Sequence, residues 1–221
     1  DVLHWWHEKN HFGLRSRYKD DYLWLVYAVC QYIDATNDME ILKEKVPYVI
    51  GDTLSDYEKE KGLMFNYSSL EETILEHCLK SLHLAMNSLG PHKLPLMGGG
   101  DWNDGMNKVG IKGKGESVWL GFFLYDVLNR FVKLLGDYDK KLKVDDLVEF
   151  KEKLKDNINK KAWDGNYYLR AYFDNGDKLG SHENSECKID LISQSCAILS
   201  GVIPKDRITE VINAIEDNLV D

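Results

Sequence analysis

The chain has 221 residues and a formal net charge of −9, from 37 acidic and 28 basic residues. Phosphate backbones are bound by clustered Lys and Arg, so this acidic composition excludes nucleic acid as a partner. No run of about 18 apolar residues occurs, and we therefore expect no membrane contact by this segment.

The four cysteines are far apart and form no C-x-x-C pair, which argues against a zinc or redox motif. Cys30, Cys78 and Cys196 lie within apolar helical patterns and are expected to act as small buried hydrophobic side chains. Free buried thiols are typical of a reducing compartment, so we predict a cytoplasmic location.

The chain begins D-V-L-H-W-W-H without an initiator Met, and we expect it to be a piece of a longer protein.

Helical periodicity dominates the first part of the chain. The segment Asp21 to Ala35 is apolar on most sides, which predicts a buried helix. A short helix is predicted from Asp38, as its cap, through Lys43. Residues 48 to 67 lack clear periodicity and are predicted to form a long loop. Ser69 followed by Glu72 matches a capping box, which predicts a long helix from there to about Ser88.

Further helical patterns fill the second half of the chain. The aromatic run Asn166 to Phe173 predicts a strand, and the D-N-G turn that follows it predicts a hairpin returning through Leu179. Apolar periodicity and flanking caps predict four helices, over Glu116 to Leu135, Asp145 or Asp146 to about Lys160, Lys188 to Ser200, and Asp206 to Leu219.

Taken together, these elements predict an all-α fold with long loops and a small β-hairpin. The pattern has no β-α-β alternation, so a parallel sheet is not expected. Helix pairs joined by long connections suit either a solenoid or a closed α/α barrel. The lack of a fixed-period sequence repeat disfavours the solenoid.

The segment Pro95 to Leu120 carries three consecutive glycines followed by D-W-N-D-G-M-N. Glycine is costly inside helices and strands, so this composition predicts a loop that presents side chains to a ligand. A carboxyl group beside the Trp102 indole would be partly desolvated, which raises its pKa and suits a general acid. The alternative is a structural turn, and we expect that role for Asp101 rather than for Asp104.

A second polar cluster, G-L-R-S-R-Y-K-D-D, precedes the first predicted helix. Arg15 and Asp21 could hydrogen-bond neighbouring sugar hydroxyls, and the run His4 to His7 could line the same pocket. A surface ion pair with a helix cap is an equally good interpretation of these residue types. Histidines 4, 7 and 11 lack a completing carboxylate or cysteine, so we predict no metal site.

A third cluster, G-S-H-E-N-S-E-C-K-I-D-L-I-S-Q-S, leads into an apolar helix that itself carries Asp190, Gln194 and Ser195. Ser195 lacks the G-x-S-x-G context of a nucleophile. We expect these side chains to hydrogen-bond neighbouring helices.

These stretches, in this order, resemble glycoside hydrolase family 94. The resemblance is carried by R-S-R-Y-K-D-D-Y-L-W-L, G-G-G-D-W-N-D-G-M-N-K-V-G, G-K-G-E-S-V-W-L, A-W-D-G-N-Y-Y-L-R-A-Y-F-D and the third cluster, and it covers nearly the whole chain. It implies a catalytic domain built as an (α/α)6 barrel, of which residues 1–221 would be a part truncated at both ends. It also implies that Asp104 is the general acid, and that Trp102, Asn103, Arg15 and Asp21 bind the sugar.

The resemblance implies an inverting phosphorylase that needs no cofactor. Inorganic phosphate is the co-substrate and replaces the water of a hydrolase, so one carboxylic acid suffices and no protein base is required. The substrate would be a β-linked gluco-disaccharide or oligosaccharide, and the product a sugar 1-phosphate. The phosphate-binding elements of the family have no counterpart here, so we expect the chain to be inactive alone.

The expected partners are the remainder of the barrel and, for the full-length protein, a second copy in a homodimer. Two other interpretations stay open. One is the phosphorylase-like domain of a cyclic β-1,2-glucan synthase, which flanking membrane or glycosyltransferase segments would identify. The other is a noncatalytic carbohydrate-binding helical module, in which Asp104 would be dispensable.

Overall fold

Six α-helices form the framework of the part of the chain described by a computed structural model, residues 2–139, 142 and 144–220. They are α1 (Asp21–Thr36), α2 (Ile74–Met86), α3 (Val118–Tyr138), α4 (Asp145–Lys161), α5 (Leu191–Leu199) and α6 (Lys205–Leu219). None of these helices combines enough length with enough apolar character to span a bilayer, within the described ranges.

Eight strands in the same ranges form three small sheets. They are β1 (Leu3–His7), β2 (Phe12–Ser16), β3 (Lys45–Ile50), β4 (Glu60–Met64), β5 (Asn66–Thr73), β6 (Glu116–Ser117), β7 (Ala171–Tyr172) and β8 (Lys178–Leu179). The strand orders are β1-β2-β4, β3-β5 and β6-β7-β8, and every described pairing is antiparallel.

The prediction of an all-α fold is wrong. The chain is 47% helix and 19% strand, with the strands in three antiparallel sheets. The predicted loop at 48–67 is also wrong in part, because β4, the second half of β3 and the first two residues of β5 fall within it. Only residues 51–59 and 65 of this range lie outside strands. These strands are mostly half-buried or exposed, so they lack the apolar run or clean alternation that marks a strand in a sequence.

The capping box of α2 lies four residues later than predicted. Thr73 accepts a hydrogen bond from the Glu76 backbone N–H, and the Glu76 side chain accepts one from the Thr73 N–H in return. Ser69 and Glu72 have the same spacing but belong to β5, where Glu72 pairs with Val46 of β3. Pairing with a neighbouring strand therefore decides which of the two S/T-x-x-E matches begins the helix.

Helix α3 is the centre of the core. It packs against α1, α4 and α5. Phe122, Leu128 and Phe131 are completely buried, as expected of a helix that is apolar on most of its surface. The Ser117 side chain caps it by accepting from the Leu120 N–H at 3.0 Å. Glu116 pairs with β7, so the helix begins two residues later than predicted.

The predicted hairpin is confirmed, but its strands are short. Only Ala171–Tyr172 of the aromatic run pairs with Lys178–Leu179, around a turn where Gly176 has φ 90°. Upstream, the Gln194 side chain of α5 takes the place of a partner strand. Its amide accepts from the Tyr168 N–H at 2.8 Å and donates to the Tyr168 carbonyl at 2.7 Å. Gln194 is therefore buried and hydrogen-bonded, but its partner here is the extended segment at Tyr168 and not the neighbouring helix that was expected.

Candidate active site

The glycine loop lies backbone to backbone against the segment that precedes α1. The Gly99 N–H donates to the Arg17 carbonyl at 3.0 Å, and the Lys19 N–H donates to the Gly100 carbonyl at 3.2 Å. Gly98 has φ 61°, and a Cβ there would come within 2.5 Å of the Arg17 oxygen. Close approach thus requires glycine at this position. The contact brings D-W-N-D next to the polar cluster of residues 13–21.

Asp101 is a buried anchor of this loop. It is fully buried, and its two carboxylate oxygens accept hydrogen bonds from the two terminal nitrogens of Arg170, each at 2.7 Å, in a bidentate ion pair. Ser117 Oγ donates to the same carboxylate at 2.5 Å, and the Asn103 N–H donates to it at 3.2 Å. These contacts with Arg170, Ser117 and Asn103 hold the loop in place, which is the structural role expected for Asp101. Arg170 was not predicted as a site residue; its only signal is a charged residue inside an aromatic run.

Asp104 begins a short 3-10 turn, Asp104–Met106, and presents its carboxyl group to solvent. Its side chain is 56% exposed. The expected desolvation by Trp102 is therefore not provided within this chain. The His4 Nε2 atom lies 3.8 Å from Asp104 Oδ2, so protonation of His4 would place a positive charge beside this carboxyl group.

Asp21 joins the same network from the first turn of α1. Its Oδ1 lies 2.9 Å from His4 Nδ1, and its Oδ2 accepts from Ser16 Oγ at 2.6 Å. Burial is the main cause that raises the pKa of Asp21, and the hydrogen bonds from Ser16 and His4 oppose it. The structure thus brings Asp21 and Asp104, two of the predicted site residues, to opposite nitrogens of one imidazole.

Arg15 is oriented toward the loop after β3. Its Nη1 donates to the carbonyl oxygens of Gly51, at 3.0 Å, and Asp52, and its guanidinium lies 5.3 Å from the centre of the Phe65 ring. Burial lowers the pKa of Arg15, and the charge of Asp52 opposes this shift. The described contacts of Arg15 hold the 51–52 loop, so it is not seen beside Asp104 as Asp21 is.

Trp102 and Asn103 have different surroundings on the loop. Trp102 is 41% exposed, and its ring is tilted against Trp119 at a centroid distance of 6.3 Å, so part of the side chain is accessible to a ligand. The Asn103 side chain accepts from the Gly105 N–H at 3.0 Å and caps the turn that carries Asp104. Asn103 therefore positions Asp104, whatever else it contacts.

An open cavity of about 560 Å³ lies beside the glycine loop. Its wall includes Gly98, Gly99 and Asn107 from the loop, and Arg17 and Lys59 from the opposite side. Neither Asp104 nor Asp21 lines this cavity, so it borders the glycine loop without containing the candidate acid. Among the described residues, no group of three or more His, Cys, Asp or Glu side chains is arranged to hold a metal ion.

Comparison with known proteins identifies the family. Residues 3–221 match the family described as the glycosyl hydrolase 94 superfamily, catalytic domain. The chain is 41% identical over its whole length to the cyclic beta-(1,2)-glucan synthase NdvB of Rhizobium meliloti (strain 1021), of which it covers 8%. It is 35% identical to the solabiose phosphorylase of Paenibacillus borealis, with 91% of this chain and 24% of the relative aligned.

A more distant relative is the N,N'-diacetylchitobiose phosphorylase of Vibrio proteolyticus. It is 26% identical, with 94% of this chain and 23% of the relative aligned. The chain therefore spans less than a quarter of the length of each of these relatives.

Proposed function

The chain belongs to the glycosyl hydrolase 94 superfamily, and from this membership we propose that it contributes the acid-bearing part of an inverting β-glucoside phosphorylase. The reaction is the reversible, phosphate-dependent cleavage of a β-linked gluco-disaccharide or oligosaccharide to a sugar 1-phosphate. The observation that carries this proposal is the Asp104 carboxyl group, which faces solvent on a loop anchored by Asp101 and lies two residues from the partly exposed Trp102. Phosphorylases among the relatives support the reaction type.

In the proposed mechanism Asp104 donates its proton to the glycosidic oxygen as the bond from that oxygen to the anomeric carbon breaks. A phosphate oxygen attacks the anomeric carbon from the opposite face, which inverts its configuration. Hydrogen phosphate becomes the phosphate ester dianion and releases its proton, which restores the acid form of Asp104. Phosphate is already an anion, so no second carboxylate has to activate the nucleophile.

The proposed sugar site uses Asp21 for hydroxyl recognition and Trp102 as a stacking platform. Asp104 is mostly exposed in this chain, so the bound sugar has to supply the desolvation that favours its protonated form. A sugar ring packed on the accessible part of Trp102 would cover the neighbouring carboxyl group. Arg15 holds the 51–52 loop, and we propose that it also binds the sugar.

We propose that the remaining part of the catalytic domain supplies the phosphate site. The chain covers 24% of the solabiose phosphorylase, and its resemblance to the family includes none of the phosphate-binding elements. Inorganic phosphate is then the co-substrate, with no further cofactor, and the 221-residue chain alone is inactive. The homodimer and the cytoplasmic location stay predictions for the full-length protein.

The direct test is a phosphate-release assay with the complete polypeptide that contains this chain, supplied with a sugar 1-phosphate and a panel of acceptors. Asp104→Asn should lower kcat by about 10²–10⁴-fold, because it removes the proton donor. Asp217→Asn makes the same chemical change on an exposed face of α6 and should leave kcat unchanged. Undiminished turnover by Asp104→Asn would exclude Asp104 as the acid and favour a noncatalytic binding module.

A second candidate is the phosphorylase-like domain of a cyclic β-1,2-glucan synthase. The observation that favours it is 41% identity over the whole chain to the synthase from Rhizobium meliloti (strain 1021), above the 35% to the solabiose phosphorylase. The chemistry at Asp104 would be the same, with a β-1,2-glucan as substrate. Phosphorolysis of β-1,2-gluco-oligosaccharides and not of other β-linked disaccharides would select this candidate.

A further inference from the structure

Trp24 is a large apolar side chain that α1 leaves exposed next to the candidate site. It lies in the first turn of α1, three residues after Asp21, so the two side chains are neighbours on one side of the helix. Leu23 and Val26 of the same helix are completely buried, whereas Trp24 is 44% exposed. The mechanism proposed above gives this side chain no role.

The orientation of the Trp24 ring is fixed by contacts on its buried side. The Trp24 Nε1–H donates to Asp20 Oδ2 at 2.8 Å, and Asp20 is only 3% exposed. Phe123 of α3 packs against the ring at a centroid distance of 4.6 Å, and Tyr27 meets it edge to face at 6.0 Å. Because the indole N–H is committed to a buried carboxylate, the accessible part of Trp24 offers mainly ring carbon atoms to a ligand.

Trp24 is also one end of a continuous row of aromatic rings that reaches the glycine loop. The centroid distances along the row are 6.3 Å from Trp102 to Trp119, 5.4 Å from Trp119 to Phe123 and 4.6 Å from Phe123 to Trp24. Trp119 in the interior of the row is buried, whereas both terminal tryptophans are more than one-third exposed. The row therefore presents two accessible aromatic surfaces, one on the glycine loop and one beside Asp21.

Aromatic carbon beside a carboxylate matches the two kinds of surface on a pyranose ring. In the β-gluco configuration the hydroxyl groups point outward from the edge of the ring, where a carboxylate can accept their hydrogen bonds. The C–H groups form the two faces of the ring, which are apolar and pack on aromatic side chains. An axial hydroxyl group makes one face polar. The pairing of Trp24 with Asp21 thus fits a gluco-configured ring.

We propose that Trp24 is a sugar-binding residue, which packs against an apolar face of the glucosyl unit whose hydroxyl groups Asp21 binds. This inference rests on the proposed function and adds to it a determinant of the substrate class, a gluco-configured ring on the donor side of the cleaved bond. Trp102 and Trp24 then supply two separate aromatic contacts to the bound saccharide.

The first test requires no turnover and uses hydroxyl-radical footprinting of the complete polypeptide, with oxidation measured by mass spectrometry of its peptides. Glucose 1-phosphate is the probe, since it occupies the donor side whatever the linkage of the saccharide substrate. We expect Trp24 to be oxidised in the unliganded protein and protected several-fold when glucose 1-phosphate is saturating. Tyr32, which is 43% exposed near the other end of α1, is the internal control and should react equally in both samples.

Two results of the footprinting would overturn the inference. A Trp24 that is unreactive without ligand would be covered by another part of the protein. A Trp24 that stays equally reactive at saturating glucose 1-phosphate would make no contact with the sugar.

The second test measures synthesis by variants of the complete polypeptide, from glucose 1-phosphate and the panel of acceptors. Trp24→Leu should raise the KM for glucose 1-phosphate by about 10–100-fold, because it removes the aromatic surface on which the sugar packs. Trp24→Phe should restore most of the affinity. Tyr32→Leu makes a comparable change far from the site and should match the wild type. The KM for inorganic phosphate in phosphorolysis should not change in any of these variants.

A comparison with galactose 1-phosphate, whose ring carries an axial hydroxyl group, separates sugar contact from a structural role. The wild type should strongly prefer glucose 1-phosphate, and Trp24→Leu should narrow that preference. If Trp24→Leu instead lowered kcat equally for both sugar phosphates, with KM unchanged, Trp24 would be only structural and the inference would be overturned.

The outcomes also separate this inference from the function on which it rests. Phosphorolysis that persists while Trp24 stays unprotected would overturn the inference and leave the phosphorylase assignment standing. Protection of Trp24 by glucose 1-phosphate without any phosphorolysis would support the sugar contact and remove the proposed reaction. A wild-type polypeptide that showed neither protection nor turnover would remove both.

Discussion

At the scale of single residues, the two aspartates of D-W-N-D have divided roles because of what lies behind each of them. Asp101 faces inward to Arg170, a completely buried guanidinium, whereas Asp104 faces solvent. The buried pair fixes the position of the loop, and the exposed carboxyl group is left available for a ligand. Only long-range contacts distinguish them, since the two residues are three apart in the same glycine-rich stretch.

Breaking the buried pair should therefore cost stability. Asp101→Asn leaves the buried Arg170 charge with only the more distant Asp190, 3.8 Å from its Nε, as a counter-charge. It should lower the free energy of unfolding by about 3–5 kcal/mol. Urea denaturation followed by circular dichroism measures this. Lys153→Gln removes the exposed ion pair with Glu149 and should change stability little. If Asp101→Asn kept full stability but lost activity, Asp101 would have a role in the chemistry instead.

Asp20 predicts a pH dependence of stability. Burial is the main cause that raises its pKa from 3.8 to about 6, and the hydrogen bond from Trp24 opposes this only in part. Between these two values the folded state holds a proton that the unfolded state has lost. Unfolding then releases a proton, so the contribution of Asp20 to stability falls as pH rises from about 4 to about 6 and is lowest above that range.

Replacing Asp20 with asparagine should remove this effect. Asn can still accept from the Trp24 Nε1–H, which lies 2.8 Å from the carboxylate, but it carries no charge to desolvate. We expect Asp20→Asn to raise the free energy of unfolding at pH 7 by on the order of 1–3 kcal/mol, and by much less near pH 4. Urea unfolding of both proteins at several pH values measures the difference. An equal difference at every pH would contradict the proposed cause.

At the scale of elements, the helices were predictable because each carries its own signal. Asp21 begins α1 as predicted, and α4 lies within about a residue of its expected bounds because acidic residues mark its first turn and lysines its last. The strands were not predictable from the sequence, because a segment becomes a strand only when it hydrogen-bonds to another segment. Glu60–Met64 becomes a strand only by lying beside Phe12–Ser16, more than 40 residues earlier in the chain.

The start of α2 offers a direct test of this distinction. Thr73→Ala should lower the free energy of unfolding by about 1 kcal/mol, since it removes the side-chain acceptor for the Glu76 N–H. Ser69→Ala changes the residue that the sequence alone favours as the cap and should have little effect. Thermal or urea unfolding of the two variants measures the loss of stability in each. A larger loss in Ser69→Ala would place the start of the helix at the earlier position.

At the scale of the whole molecule, the candidate site lies where three parts of the chain meet. The β1–β2 hairpin carries His4, the first turn of α1 carries Asp21, and the glycine loop carries Asp104. The motif spacing predicted Asp21 and Asp104, because carboxylates in polar clusters are visible in a sequence. The sequence suggested that His4 could line the same pocket as Asp21, but not that its ring lies between Asp21 and Asp104. It did not predict that Arg170 anchors the loop, because 69 residues separate Arg170 from Asp101.

The four cysteines are buried to different extents, so their rates of chemical labelling report whether the core opens as one unit. Cys30 of α1 and Cys78 of α2 are fully buried, and burial raises the pKa of each to about 12. Cys187 is exposed on the polar segment before α5. Cys196 is partly buried, with its Sγ 3.1 Å from Trp119 Nε1. Because the thiolate is the reactive form, the four sites should differ widely in rate.

We therefore expect maleimide labelling of the native protein to modify Cys187 within the mixing time and Cys196 more slowly. Cys30 and Cys78 should react only at the rate of global unfolding, because both lie in the buried core and α1 packs against both α2 and α3. Mass spectrometry of peptides from timed samples measures each site, and Cys187→Ser is the control that removes the fast phase alone. Labelling of Cys78 much faster than Cys30 would mean that α2 opens independently of the rest of the core.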